Sequence, residues 1–322
     1  MSLNNSLDAR LEQSKYHDFV AFTSTFYKDD VEWKVRSEAC FEMLDNTQKL
    51  WIRVVVGDGG SGVDFLERVS GYPNVTLIHS GKWWENTDLT MAGERRFTGR
   101  VSMEKYPEAS YFLWLEPEKA ELMKMENIDA ILDPMRLWTA DMVVPSRKSK
   151  DTLPPQQRAA ENRANRRASD IINIGDISPV HEFRKKFTAH IVPSQIDDSF
   201  SSDKVYRDNE DWENADSDTA WSMTPELNAP YDLWFGPKAF TRSSMEDDFL
   251  SYNWAKWDGI ITSVLAGKMR WKNVRDVPVD FTYPPKQTEL ETDLRQAMKY
   301  QTLRRSQYRY IIKTIKKLVA QI

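Results

Sequence analysis

Short β-rich apolar runs alternate with amphipathic stretches through about the first 150 residues, and this alternation limits the chain to few folds. The runs predict strands at 19–25, 51–57, 75–80, 111–115 and 142–146. Between the first two, Val31, Val35, Ala39 and Met43 recur at helical spacing. Strands joined in this way by helices give a sheet covered on both faces, an α/β architecture. With 322 residues, 40% of them hydrophobic and 12% aromatic, the chain has material for one large core.

The second half is different in character. Residues 155–171 read as a charged helix made locally basic by Arg158, Arg163, Arg166 and Arg167. Acids dominate 197–226, where aliphatic side chains are few, so a long loop or an insertion ordered on binding is expected. Two apolar segments follow at 231–240 and 249–265, then a strand at 274–279. A long helical pattern over 289–322 sets Arg304, Arg305, Arg309, Lys313, Lys316 and Lys317 around Leu303, Ile311, Ile315 and Leu318. Net charge is −5, from 44 basic and 49 acidic residues, so the overall balance asks for no nucleic-acid partner. The sole cysteine, Cys40, excludes an intrachain disulfide framework and fits a reducing compartment. The first residues lack the basic-then-apolar pattern of a signal peptide, and no apolar run approaches the roughly 18 residues of a membrane span. A cytoplasmic protein is expected.

Three clusters carry the chemistry. The run from Tyr111 to Leu115 ends in Glu116-Pro117-Glu118-Lys119. Such a strand delivers two carboxylates to the carboxyl edge of a sheet, where α/β folds bind ligands, and two hard oxygen ligands suit Mg²⁺ or Mn²⁺ against a diphosphate. Equally, Glu116 can open a solvated turn while Glu118 sits near a helix start. A second strand ends in Gly57-Asp58-Gly59-Gly60-Ser61, where the glycines let the backbone approach a base or ribose and Asp58 can accept from its hydroxyls. An aspartate favoured by the turn alone would look the same, and no Walker loop is present. The third cluster, Gly93-Glu94-Arg95-Arg96, opens a helix, and helix amides with an arginine make an anion site. A surface arginine pair is the plainer alternative.

Taken in order, the Thr23-Ser24 strand end, the Asp58 turn, the Gly93–Arg96 helix start and the Glu116-x-Glu118 strand end resemble the GT-A-fold glycosyltransferases. The stretch from Ala140 to Arg147 is similar to the strand that follows the metal motif in many of these enzymes. The likeness covers about the first 150 residues well and the rest loosely. It implies a GT-A-like mixed central sheet flanked by helices, with a long C-terminal helix, in one domain spanning 1–322. Residues 1–150 would bind the nucleotide sugar and 151–322 would form the acceptor side. By resemblance, Thr23, Ser24, Asp58 and Gly59 hold the nucleoside, Gly93, Arg95 and Arg96 face the diphosphate, and Glu116 and Glu118 hold Mn²⁺ or Mg²⁺. The chain departs from the family in using glutamates where aspartates are usual, and in having Gly57-Asp58 where two successive acids are common.

The implied activity is transfer of a hexose from a UDP- or GDP-sugar to a small-molecule or lipid-linked acceptor. Asp232 and Asp258 are candidates for the acid near the anomeric carbon, as general base or as a positioning group, and Trp234 and Trp257 can stack on a sugar. Residues 197–226 would close as a lid, with Trp212 and Trp221 as anchors, and the basic 289–322 helix could rest on an anionic membrane or pack on its own domain. Two rival functions stay open: a sugar-nucleotide nucleotidyltransferase, and a non-catalytic carbohydrate-binding or scaffold protein on the same fold.

Overall fold

The computed structural model describes residues 10–27, 31–79, 91–151, 153, 158, 161–162, 165, 231–252 and 259–292. Seven strands form one sheet: β1 (Phe19–Thr25), β2 (Arg53–Asp58), β3 (Val75–His79), β4 (Tyr111–Trp114), β5 (Met142–Arg147), β6 (Lys238–Thr241) and β7 (Val274–Val279). The helices between them are α1 (Val31–Lys49), α2 (Val63–Ser70), α3 (Met91–Lys105), α4 (Met125–Arg136), α5 (Gly259–Met269) and α6 (Pro285–Thr292). The mixed α/β sheet expected from the alternation is present, while the expected helix beyond residue 292 lies outside the described residues.

Strand order is β3-β2-β1-β4-β6-β5-β7. All neighbours pair in parallel except β6, which runs antiparallel to both β4 and β5. From β1 the chain first builds outward through β2 and β3, then returns to place β4 on the other flank of β1. In α/β folds ligands bind beyond the carboxyl ends of the strands at such a reversal. Here the chains leaving β1 and β4 turn to the same layer and meet there, the Tyr27 hydroxyl donating to Glu118. Because β6 is reversed, its amino end, Lys238, lies at that same edge, in register with Trp114 of β4.

Every residue of β2 and β4 is buried, as expected of strands covered on both faces. Side-chain alternation sorts the core into two layers. Phe19, Ala21, Val54, Val56 and Leu113 face one layer with Met43 of α1, Phe65 of α2 and Ile131 of α4. Val20, Phe22, Val55, Phe112 and Trp114 face the other with Met103 of α3 and Val264 of α5. The segment 231–240, read from sequence only as apolar, supplies β6.

On the second layer α3 lies very close to β2: a Cβ added at Gly57 would come within 2.1 Å of Thr98 Oγ1. This contact sits near the carboxyl end of β2, so the first turn of α3, with Gly93, Arg95 and Arg96, lies toward the carboxyl edge of the sheet. Gly57→Ala is therefore expected to destabilise the fold by about 1–3 kcal/mol through overpacking. The same change in a Thr98→Ala background should cost less, a coupling that urea unfolding of the four variants would measure.

Candidate active site

At the end of β1, Thr23 Oγ1 donates to Leu115 O at 2.8 Å, which ties β1 to the chain leaving β4. Thr23 is fully buried and its hydroxyl serves that crosslink. The Asp58 carboxylate is likewise used by its own turn. Oδ1 accepts from Gly60 N at 2.8 Å and Ser61 N at 2.9 Å, and Oδ2 accepts from the Thr25 and Ser61 hydroxyls. Gly59 N donates to Thr25 O at 2.9 Å, and Gly60 takes φ +113, a conformation open to glycine. Asp58 thus builds the glycine turn from within.

Beside that turn, three polar side-chain atoms on the α3 face are buried with no hydrogen-bond partner among the described residues: Ser24 Oγ, Thr98 Oγ1 and Trp114 Nε1. Buried polar groups in folded proteins are nearly always bonded, so three in one neighbourhood mark a place where a further partner belongs. Register links them: Ser24 lies opposite Gly57, which Thr98 overlies, and Trp114 lies opposite Phe22, two residues back along β1. The Arg95 guanidinium stands 4.3 Å from the centroid of the Trp114 ring.

Glu116 and Glu118 leave β4 toward different neighbours. Glu118 Oε1 accepts from the Tyr27 hydroxyl at 3.2 Å and is 3.5 Å from Arg36 Nη1. Glu116 Oε2 is 3.5 Å from Lys119 Nζ, and its carboxyl group lies against Gly236, where an added Cβ would stand 2.8 Å away. Gly236 has φ +97, so both its conformation and its surroundings favour glycine. Lys119 Nζ sits 4.9, 5.0 and 5.4 Å from the ring centroids of Phe281, Tyr283 and Phe235. Among the described residues, no three His, Cys, Asp or Glu side chains are grouped to hold a metal ion. With each glutamate beside a cation of its own, the pair does not fit a divalent ion held between them.

Asp232 is the hub of a buried ionic cluster. It accepts from Arg147 Nε at 2.7 Å, Arg147 Nη2 at 2.9 Å and Asn165 Nδ2 at 2.6 Å, with Lys150 Nζ 3.5 Å away. Arg147 Nη2 also donates to Glu161 Oε2 at 2.6 Å. Side chains of Arg147, Asp232 and Glu161 are each only 3% exposed. Burial by itself would raise the Asp232 pKa, but Arg147 and then Lys150 hold it well below the ordinary carboxylate range. A carboxylate so held is a weak proton acceptor, which opposes the general-base role and suits a positioning one. The neighbouring Lys238 is wholly buried, and its Nζ donates to the carbonyls of Leu233, Gly236 and Pro237 at 3.2, 3.0 and 2.9 Å. Burial pushes its pKa down to about 7, against the opposing pull of Asp232 and Glu116.

The structure therefore gathers Ser24, the 57–61 turn, the start of α3, Glu116 and Glu118 at one sheet edge, with the Asp232 cluster at the end of the parallel strand β5. Asp258, Trp257, residues 197–226 and most of 289–322 lie outside the described residues. Sequence reasoning missed the roles of Lys119, Arg147, Lys238 and Trp114. Each stood in or beside a segment already singled out, but contacts such as Arg147 with Asp232 and Lys119 with Phe281 are made only by folding and leave no local mark.

No protein-family model matches the chain, and no curated protein does. Among solved structures, a provisionally assigned nucleotide-diphospho-sugar transferase from Desulfovibrio desulfuricans G20 aligns at TM-score 0.30 and 8% identity. That alignment covers 41% of this chain and 59% of the other, so the match spans under two thirds of that protein's length. The glucosyl-3-phosphoglycerate synthase of Mycobacterium tuberculosis, in complex with phosphoglyceric acid, aligns at TM-score 0.39 and 11% identity over 94% of this chain and 84% of its own. Likenesses this weak carry no argument about activity.

Two outcomes follow from the ionic cluster. Asp232→Ala strands the Arg147 guanidinium beside Glu161 and should cost about 3–5 kcal/mol at neutral pH by denaturant unfolding. The folded-state pKa of Asp232 is depressed, so its contribution is complete above the ordinary 3.8 and fades as pH falls further. Lys238 acts with the same sign in a higher pH window. Between its folded value of about 7 and the ordinary 10.5, the unfolded chain holds the proton that the folded chain has released. Lys238 should therefore contribute stability that grows with pH across that window, and this contribution should be missing from the pH profile of Lys238→Met whatever that variant's absolute stability.

Proposed function

We propose that this chain is a glycosyltransferase that takes a hexose from a UDP- or GDP-sugar bound beyond the carboxyl ends of β1, β2 and β4. The carrying observation is the group of buried atoms with no hydrogen-bond partner among the described residues, Ser24 Oγ, Thr98 Oγ1 and Trp114 Nε1, with the Arg95 guanidinium over the Trp114 ring. A hydroxylated ligand bearing a diphosphate would supply hydrogen-bond partners to the first three and an anion to the fourth. Arg95, Arg96 and the amides around Gly93 face the diphosphate in this arrangement, and the Gly59 turn with Ser24 faces the nucleoside. In transfer, the bond from the sugar's anomeric carbon to the diphosphate breaks and its electron pair leaves with the diphosphate. An acceptor oxygen bonds to that carbon and gives up its proton.

Asp232 contributes by holding β5 and the 231–237 segment in place through Arg147, while Asp258 stays the candidate for direct contact with the sugar. The acceptor is a small or lipid-linked molecule, with 197–226 as the proposed lid. No described helix is long and apolar enough to cross a membrane. Peripheral contact through 289–322 is part of the proposal.

Incubating the full chain with a panel of nucleotide sugars and assaying for free nucleoside diphosphate tests the assignment. Release of UDP or GDP is expected, and Arg95→Gln should weaken donor binding by about 10- to 100-fold in calorimetry, the range of a charge-assisted contact. Pyrophosphate as the product would identify a nucleotidyltransferase instead. Binding of sugar with no turnover of any donor would identify a carbohydrate-binding protein.

A further inference from the structure

We infer that Glu116 and Glu118 are counter-ions for Lys119 and Arg36, and that nucleoside diphosphate binds at this edge without a divalent metal. The inference rests on the donor reading above for its ligand and on the local geometry for its chemistry. Each glutamate has an ion-pair partner at 3.5 Å, supplied by a different element: Lys119 follows the motif itself, and Arg36 comes from α1. Glu118 is further engaged by the Tyr27 hydroxyl at 3.2 Å, which makes that oxygen a poorer ligand for an ion that demands close, well-directed oxygens. The side chains of Glu118 and Arg36 are 12% and 17% exposed, so little water competes for the pair.

Lys119 is not readily displaced. Three aromatic rings, from Phe235, Phe281 and Tyr283, surround its ammonium at 4.9–5.4 Å, and its side chain is 9% exposed. Quadrupoles of three rings acting on one cation fix it where it stands, with the Glu116 carboxylate 3.5 Å away. A divalent ion on Glu116 would lie beside this held positive charge and be repelled by it. Gly236 closes another side of the Glu116 carboxylate, and no third acid, histidine or cysteine completes a ligand set among the described residues. The fixed ammonium and guanidinium beside the motif are the positive charges that this edge offers to a diphosphate.

The test uses the full chain with Mn²⁺ alone, followed by UDP and GDP by calorimetry in EDTA or in Mn²⁺. The expected results are no saturable Mn²⁺ site tighter than about 1 mM, and nucleotide affinities in the two buffers within about twofold. Lys119→Met should weaken nucleotide binding in EDTA by about tenfold or more, and Lys119→Arg should restore most of it, because the charge returns. A saturable Mn²⁺ site lost in Glu116→Gln, or nucleotide binding that disappears in EDTA, would overturn the inference. If neither nucleotide binds in either buffer, the donor reading falls and its metal-free binding with it, while the Mn²⁺ titration still decides whether the glutamates are counter-ions.

Discussion

The position of β1 governs the architecture. Flanked in parallel by β2 and β4, it buries side chains on both faces, so the chain cannot reach β4 from β3 without crossing over α3 to the far flank of β1. That return creates the reversal, at which the carboxyl ends of β1, β2 and β4 come together. Everything proposed for the site hangs from the carboxyl ends of these three strands: the Thr23 crosslink, the Asp58 turn and the Glu116 motif. The close approach of Thr98 to Gly57 then sets the height at which α3 presents its first turn.

Electrostatics at the other flank follows from burial. Arg147, Asp232 and Glu161 lie where solvent cannot hydrate them, so each charge is stable only while the others remain. The result is a rigid junction of β5, the 231–237 segment and the stretch bearing Glu161 and Asn165, none of which are sequence neighbours. Lys238 extends the same logic, with its three donors capped by three backbone carbonyls of one turn. Such a junction fixes positions and handles protons poorly, and so Asp232 fits a positioning role better than an acid–base one.

Much of the fold was legible because it is written in local periodicity. The predicted strand at 19–25 matches β1, that at 274–279 matches β7, and those at 51–57, 75–80, 111–115 and 142–146 differ from the observed strands only at their ends. Strand β6 was not separable from its apolar segment. It has only four residues, follows a glycine and a proline, and is a strand through pairing with β4 and β5. The acid pair was legible as residues, but its partners were not: Arg36 stands some eighty residues before Glu118, and the rings around Lys119 come from beyond residue 230.

By itself the sequence determined that alternating strands and helices would make a covered sheet, and which residues would reach its carboxyl edge, because strand period and strand ends are local properties. Only the tertiary structure decided what those residues meet there. Asp58 closed onto its own turn, Asp232 onto Arg147, and Glu116 and Glu118 onto separate cations. Those outcomes depend on how strands are ordered across the sheet. A carboxylate's chemistry is set by the charges and donors within a few ångströms of it, and chain folding chooses those from distant sequence.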